Sequence, residues 1–196
     1  MREIAPGVVH WTARHENIGL DVSSYWLADD RVLLNPMGLP GDLGGEPVAI
    51  VLTNRHHSRH SGELAERFGV RVHAPREGMH EFTHDEPVDP YADGEEPAPG
   101  LRAHQVGALS DDEYAIEIPR ARALAIADGA MRMGDGPLTF VPDQYMGDDP
   151  EAVKAALRES FSRLLDAVDF DHLLLAHGDP VVGDGAEQLR RFAEGG

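Results

Sequence analysis

Residues 54–62 constrain this chain more than any other stretch, because they place three histidines and two arginines between a strand and a helix. They follow the apolar run 48–52, which is typical of a buried β-strand. They precede residues 63–69, which predict a short helix that ends at a glycine. In layered α/β folds, this junction lies at the edge of the sheet where ligands and metals bind. We therefore expect the functional site around residues 54–62.

Hydrophobic patterns along the rest of the chain predict many short strands and few helices. The pair Asp149-Pro150 marks the start of the clearest helix, and residues 185–194 can form another. Residues 85–100, with six acidic residues and four prolines, predict an exposed loop. Together these elements predict one α/β domain spanning residues 1–196. The predicted strands, besides 48–52, are 8–11, 22–27, 31–35, 70–73, 101–106, 113–118, 122–127 and 171–176.

Composition excludes several classes of function. The chain has no cysteine, which rules out disulfides and thiolate metal sites. The net charge of −18 disfavours binding to nucleic acid or to an anionic membrane surface. The first residues lack the apolar segment of a secretory signal, so we expect a cytoplasmic location. The sequence leaves the oligomeric state open, a homodimer included.

Four candidate metal ligands occupy comparable places in the chain. His57 and His60 follow one predicted strand, Asp128 follows a second and His177 follows a third. Residues far apart in sequence can converge when each lies at the end of a strand of the same layered fold. Imidazole and carboxylate groups suit Zn, Mn or Fe(II). The sequence therefore predicts a metal site that these residues share.

With these motifs in place, the chain resembles the metallo-β-lactamase-fold superfamily, whose members are αββα sandwiches of two mixed β-sheets flanked by helices. The first motif of that family, Thr-His-x-His-x-Asp-His-x-Gly, aligns without a gap on residues 54–62. The family also has a metal-bridging aspartate and a closing histidine-glycine pair. The positions that match are His57, His60, Gly62, Asp128 and His177.

The sequence also departs from the family pattern at three ligand positions. Arg55 replaces the first motif histidine, Arg59 replaces the motif aspartate, and Ala108 occupies the position of a further ligand histidine. A guanidinium group cannot ligate a metal. The resemblance therefore implies at most one metal, held by His60, Asp128 and His177 with His57 as an additional ligand.

Two functional hypotheses follow. The first is a hydrolase with one Zn, Fe or Mn that acts on a small ester, lactone, thioester or phosphoester, with Asp128 and Arg59 as catalytic residues. The second is a metal-free, non-catalytic protein in which Arg55, Arg59 and His56 bind an anionic small molecule, and it predicts an Arg59–Asp128 contact. An oxygen-reducing flavodiiron role requires a fuller dinuclear ligand set and is disfavoured.

Other polar and aromatic residues receive structural interpretations. His104 is expected in a strand at the rim of the site, and Trp11, Trp26 and Tyr25 in the core. The acidic residues that follow the turn near residue 110 are expected to be solvated: Asp111, Asp112 and Glu113. The remaining histidines have no partner pattern and are interpreted as surface or core residues: His10, His15, His73, His80, His84 and His172.

Overall fold

The computed structural model describes residues 1–83 and 87–195. The larger sheet has seven strands in chain order. Its first four strands pair antiparallel and its last four pair parallel, with the fourth strand common to both sets. The strands are β1 (Arg2–Ala5), β2 (Val8–His15), β3 (Leu20–Leu27), β4 (Val32–Leu34), β5 (Ala49–Val51), β6 (Arg71–Pro75) and β7 (Val88–Tyr91).

The smaller sheet has four strands in the order β13-β10-β9-β8. It is also mixed, because β10 and β13 run parallel while the other pairs are antiparallel. A separate two-stranded ribbon, β11–β12, lies between β10 and the long helix in sequence. These strands are β8 (Arg102–Gln105), β9 (Tyr114–Ile118), β10 (Ala123–Ile126), β11 (Met131–Arg132), β12 (Leu138–Thr139) and β13 (His172–Leu175).

Helices cover the outer face of each sheet. The helix α1 (Ser61–Phe68) packs on the larger sheet, and both α2 (Pro150–Ala167) and α3 (Gly185–Ala193) pack on the smaller one. The inner faces of the two sheets meet in a third cluster of buried side chains. The predicted αββα sandwich is therefore confirmed. In the described part of the chain, no helix has the length and apolar character needed to cross a membrane.

Both faces of the central strands are buried, which explains their nearly continuous apolar sequence. In β10, Ala123 and Ala125 face the inter-sheet core, while Leu124 and Ile126 face α2 and α3. The same alternation divides β5 between the inter-sheet core and α1. A strand buried on one face only would alternate polar and apolar residues instead.

The prediction of a loop over residues 85–100 is wrong in part. Residues 88–91 form the edge strand β7, which pairs parallel with β6, and Tyr91 is buried with its hydroxyl donating to the Leu52 carbonyl at 2.6 Å. Pro90 lies at the sheet edge, where a missing N–H is tolerated. Strand β1 was also not predicted. His84 and the first two residues of the predicted loop lie outside the described residues.

One tyrosine joins the two sheets. The Tyr25 hydroxyl on β3 donates to the Leu175 carbonyl at 2.7 Å and accepts the Leu175 N–H at 3.0 Å, on β13 of the other sheet. Tyr25 is only 1% exposed. The two backbone groups of Leu175 therefore depend on this phenol for hydrogen bonding in a dry environment.

We expect Tyr25→Phe to lower the free energy of unfolding by about 1–3 kcal/mol, because it leaves the buried N–H and carbonyl of Leu175 without their hydrogen-bond partner. The measurement is urea unfolding followed by circular dichroism. Tyr145→Phe is the matched control, since Tyr145 is 63% exposed and should leave stability unchanged. Equal stability of the two variants would contradict a bridging role for Tyr25.

Candidate metal centre

The segment between β5 and α1 positions the first candidate ligand, His57. Residues Arg55–His57 form one turn of 3₁₀ helix, capped by the Asn54 side chain, which accepts the His57 N–H at 3.1 Å. This turn directs His57 inward, where it is only 2% exposed. A short polar side chain at the start of a helical turn satisfies a backbone donor that has no partner within the turn.

Three of the four predicted ligands converge. The carboxylate Oδ1 of Asp128 lies 3.1 Å from His57 Nε2 and 2.9 Å from His177 Nε2. Asp128 follows β10 and His177 follows β13, and these neighbouring parallel strands bring their ends to one edge of the sheet. The sequence prediction that strand ends gather these residues is correct for His57, Asp128 and His177.

Asn54 is a part of the site that the sequence comparison did not single out. Its amide nitrogen donates to Asp128 Oδ2 at 2.7 Å. Burial alone would raise the pKa of Asp128, but the interactions with His57 and His177 hold that pKa well below its usual value. Asp128 is therefore ionised at neutral pH.

His57 is held in place from its other ring nitrogen. Its Nδ1 lies 2.8 Å from the Thr53 hydroxyl, and Thr53 is fixed in turn by Asn35. Burial is the main cause that lowers the pKa of His57 to about 4, although Asp128 opposes the shift. His57 is thus neutral at physiological pH, the state in which imidazole ligates a metal.

The donor atoms of these three residues fit one metal ion. One ligand atom from each of His57, Asp128 and His177 lies within 4.8 Å of the others. Two imidazoles and one carboxylate form a common donor set for Zn and for non-haem Fe(II), with coordination positions left for water or substrate. The Thr53 hydroxyl provides the outer hydrogen bond that orients a ligating histidine.

His60 is not part of this group. It lies at the N-terminus of α1, is exposed, and accepts the Gly38 N–H through Nδ1 at 2.9 Å. The turn that points His57 inward points His60 away from Asp128. The structure therefore does not support His60 as a ligand, although the motif alignment predicts it.

Arg55 is neutralised by a residue whose burial was predicted wrongly. Asp112 is 1% exposed. Its carboxylate accepts hydrogen bonds from the backbone N–H of Arg55, at 2.8 Å, and from the guanidinium of Arg55. A second carboxylate, that of Glu81, lies 3.7 Å from Arg55 Nε. Sequence analysis expected Asp112 to be solvated. The ion pairs offset the charge of Arg55, although its Nε is buried without a hydrogen-bond partner among the described residues.

Arg59 forms hydrogen bonds with the backbone next to the site. Its guanidinium donates to the carbonyls of Ser23 at 2.7 Å, Asn35 at 2.9 Å and Ala176 at 3.5 Å, which link both sheets. The predicted Arg59–Asp128 ion pair does not form. Burial lowers the pKa of Arg59 to about 10, while Asp128 acts at longer range to raise it. Arg59 therefore stays charged near the site without a direct carboxylate partner.

Glu113 was also expected to be solvated, yet it is 1% exposed. It accepts the backbone N–H of Gly129 at 2.5 Å and of Leu109 at 3.2 Å. Burial, with the negative charge of Asp128 as a smaller cause, raises the pKa of Glu113 to about 8. The side chain thus fixes the turn that carries Asp128. No sequence signal separates Glu113 from the neighbouring Asp111, which is exposed as predicted.

Two adjoining cavities open beside the ligand group. A cavity of about 710 Å³ contains His57, Asp128 and His177 in its wall. A second, of about 700 Å³, is lined mainly by polar residues that include His60. His15, Arg55, His56 and Arg59 line both cavities. His15 was not singled out from sequence, whereas His104 pairs with Glu117 at 2.9 Å and lies outside both linings.

Searches against protein-family models and curated proteins found no match. Solved structures match nearly the whole chain. A metallo-β-lactamase from Erythrobacter litoralis superposes with a TM-score of 0.69 at 15% identity, covering 99% of this chain and 95% of that one. The chain has the metallo-β-lactamase fold.

Two other similar structures show how widely this fold is used. A metallo-β-lactamase family protein from Thermus thermophilus matches at 18% identity with a TM-score of 0.62, covering 98% of this chain and 81% of that one. The flavodiiron core from Synechocystis matches at 15% identity and a TM-score of 0.66, covering 97% of this chain and 59% of that one. At such identities the likeness concerns the metallo-β-lactamase fold alone.

The loop that carries His177 is tied to the larger sheet through Ser23. The Ser23 hydroxyl donates to the Gly178 carbonyl at 2.8 Å and lies 2.9 Å from His10 Nε2, so it accepts from His10. Burial is the main cause that lowers the pKa of His10 from 6.5 to about 4. As pH falls, the unfolded chain therefore binds a proton at His10 before the folded chain does, and stability decreases.

We expect His10 to contribute a loss of about 2 kcal/mol in unfolding free energy between roughly pH 7 and pH 5. His10→Gln retains an N–H donor toward Ser23 but does not titrate, so its stability should fall less over this range. Urea unfolding of both proteins across the range measures the difference. Parallel pH profiles would contradict this assignment.

Proposed function

We propose that this protein is a hydrolase that uses one divalent metal ion, held by His57, Asp128 and His177. The observation that carries the proposal is the convergence of these three donor groups in the wall of the 710 Å³ cavity. The ligand set differs from the motif-based prediction because it retains His57 but excludes His60. The substrates proposed are small molecules with a hydrolysable acyl bond.

When bound, the ion would acidify a water molecule and polarise the substrate carbonyl. In the overall hydrolysis, the water oxygen bonds to the acyl carbon, the bond to the leaving oxygen or sulfur breaks, and a proton passes to the leaving group. The products are a carboxylic acid and an alcohol or thiol.

The chain's own residues prepare this chemistry. His57 is neutral because burial lowers its pKa, so binding a metal at Nε2 requires only that its single proton lie on Nδ1, toward the Thr53 hydroxyl. Asn54 and the two histidines keep the Asp128 carboxylate fixed. The charge of Arg59 lies close enough to affect Asp128 but is directed to backbone carbonyls. A fixed donor set reduces the reorganisation required on binding.

We expect protein purified without a tag or chelator to contain about one equivalent of Zn, Fe or Mn, measured by elemental mass spectrometry. His57→Ala and His177→Ala should each lose most of the metal and the hydrolysis of small esters and thioesters. His60→Ala is the matched control, because this exposed histidine bonds to Gly38 and should keep both.

A metal-free wild type that also refuses added Zn, Fe and Mn would overturn the proposal. Equal metal loss in His60→Ala and His57→Ala would overturn the ligand assignment while leaving metal binding intact.

Asn54 gives a second test of the same centre. Asn54→Ala removes the amide that holds Asp128 Oδ2, and losing such an outer hydrogen bond costs about 10–100-fold in metal affinity. Gln144→Ala is the control, since Gln144 is an exposed amide that lines the same cavity. Competition titration of Zn against a chromophoric chelator measures both. Unchanged affinity in Asn54→Ala would show that this hydrogen bond is dispensable.

A second candidate is a metal-free binding protein on the same fold. It is favoured by one observation: three N–H donors already satisfy the Asp128 carboxylate, from Asn54, His57 and His177. The engagement of Arg55 and Arg59 argues against the anionic ligand first expected for such a protein. The metal measurement above distinguishes the two candidates.

A further inference from the structure

Exposed apolar side chains are concentrated around one cavity. Within residues 1–83 and 87–195, seven large apolar side chains are notably exposed. Four of them line the cavity that contains the ligand group. These four, with their exposed fractions, are Ile18 at 48%, Leu20 at 47%, Met133 at 68% and Tyr145 at 63%.

These side chains come from separate parts of the chain. Ile18 and Leu20 lie at the turn between β2 and β3, while Met131 and Met133 lie on and after β11. Val22, Leu109, Val141 and Pro142 complete the apolar wall. Contiguous apolar surface that several segments build together, and that remains open to water, marks a place where a partner or ligand covers it.

The shape of this surface favours a small ligand. A cavity of about 710 Å³ lies within the range of roughly 300–1,000 Å³ that is typical of small-molecule sites. The polar groups in its wall include the cluster of His57, Asp128 and His177, which lies in the same cavity as the apolar side chains. Such a cavity suits a molecule with an apolar chain and one polar end.

The charges around the cavity are close to balanced. Arg55 is paired with Asp112 and Glu81, and the guanidinium of Arg59 donates to three backbone carbonyls. The Asp128 carboxylate contributes a negative charge at the polar end of the cavity. The positive charge of Arg59 and the negative charge of Asp128 offset each other, so the wall has no excess of cations that would select an anionic ligand.

We propose that this cavity binds the hydrocarbon chain of an acyl compound, with the carbonyl end toward His57, Asp128 and His177. The inference deepens the proposed function, on which its acyl chemistry rests, by naming the substrate class. Met131 and Met133 have flexible, polarisable side chains that adjust to chains of different length. Affinity should therefore increase steadily as the chain grows.

The test uses butanol, hexanol and octanol, which are neutral and cannot be hydrolysed, titrated into the whole protein by isothermal calorimetry. Affinity should rise about fourfold for each added methylene group. Affinity that does not change with chain length would overturn the proposal.

Met133→Asp places a charge in the apolar wall and should weaken octanol binding by about tenfold or more. Val182→Asp is the matched control, because Val182 is 45% exposed and lies outside this cavity. Equal effects of the two variants would overturn the proposal. A dimer that Met133→Asp converts to monomer, together with no alcohol binding, would assign the surface to a second copy of the chain and would also overturn it.

The same series separates this inference from the proposed hydrolase function. His57→Ala combined with His177→Ala should abolish hydrolysis but keep the dependence of alcohol binding on chain length. Alcohol binding without hydrolysis of any ester by wild type would reject the hydrolase and keep the acyl cavity. If wild type hydrolyses esters at rates that do not depend on acyl chain length, and binds no alcohol, the cavity assignment is rejected and the hydrolase function is kept.

Discussion

The hydrogen bonding of one carboxylate organises the site of this protein. Asp128 receives contacts from His57 and His177 through Oδ1 and from Asn54 through Oδ2, and these partners come from separate segments of the chain. An ionised carboxylate removed from bulk water is costly unless such donors surround it. Glu113 fixes the turn that carries Asp128 by accepting the Gly129 N–H. The positions of Asn54, His57 and His177 therefore follow from the hydrogen bonding of the Asp128 carboxylate.

The two arginines of residues 54–62 are held by groups beside the site. Arg55 and Arg59 occupy positions where the family motif has a histidine and an aspartate, but neither reaches Asp128 in a direct ion pair. Arg55 is matched by the buried Asp112, and Arg59 caps carbonyls of Ser23, Asn35 and Ala176. A buried charge is tolerated when a counter-charge or hydrogen-bond acceptors surround it. Both guanidinium groups thus stabilise the structure beside the site, and His57, Asp128 and His177 form the group of possible metal ligands.

The sequence by itself determined the fold and three residues of the candidate site. Alternation and apolar runs located most strands, because strands of this sandwich bury one or both faces. The edge strand β7 was not predicted, because the acidic, proline-rich composition of residues 85–100 is typical of a loop. A short edge strand tolerates this composition, since it pairs with only one neighbour. His57, Asp128 and His177 could be predicted because each follows an apolar strand, and strand ends meet at one edge of a sheet.

Only the tertiary structure decided which polar side chains point into the site. His57 and His60 are three residues apart, yet the 3₁₀ turn directs one inward and the start of α1 leaves the other in solvent. Asp111 and Asp112 are neighbours, but only Asp112 is buried against Arg55. The apolar cavity is likewise assembled from hairpin and loop residues far apart in sequence. Sequence patterns report the period of an element, whereas the direction of a side chain in a turn depends on packing against distant segments.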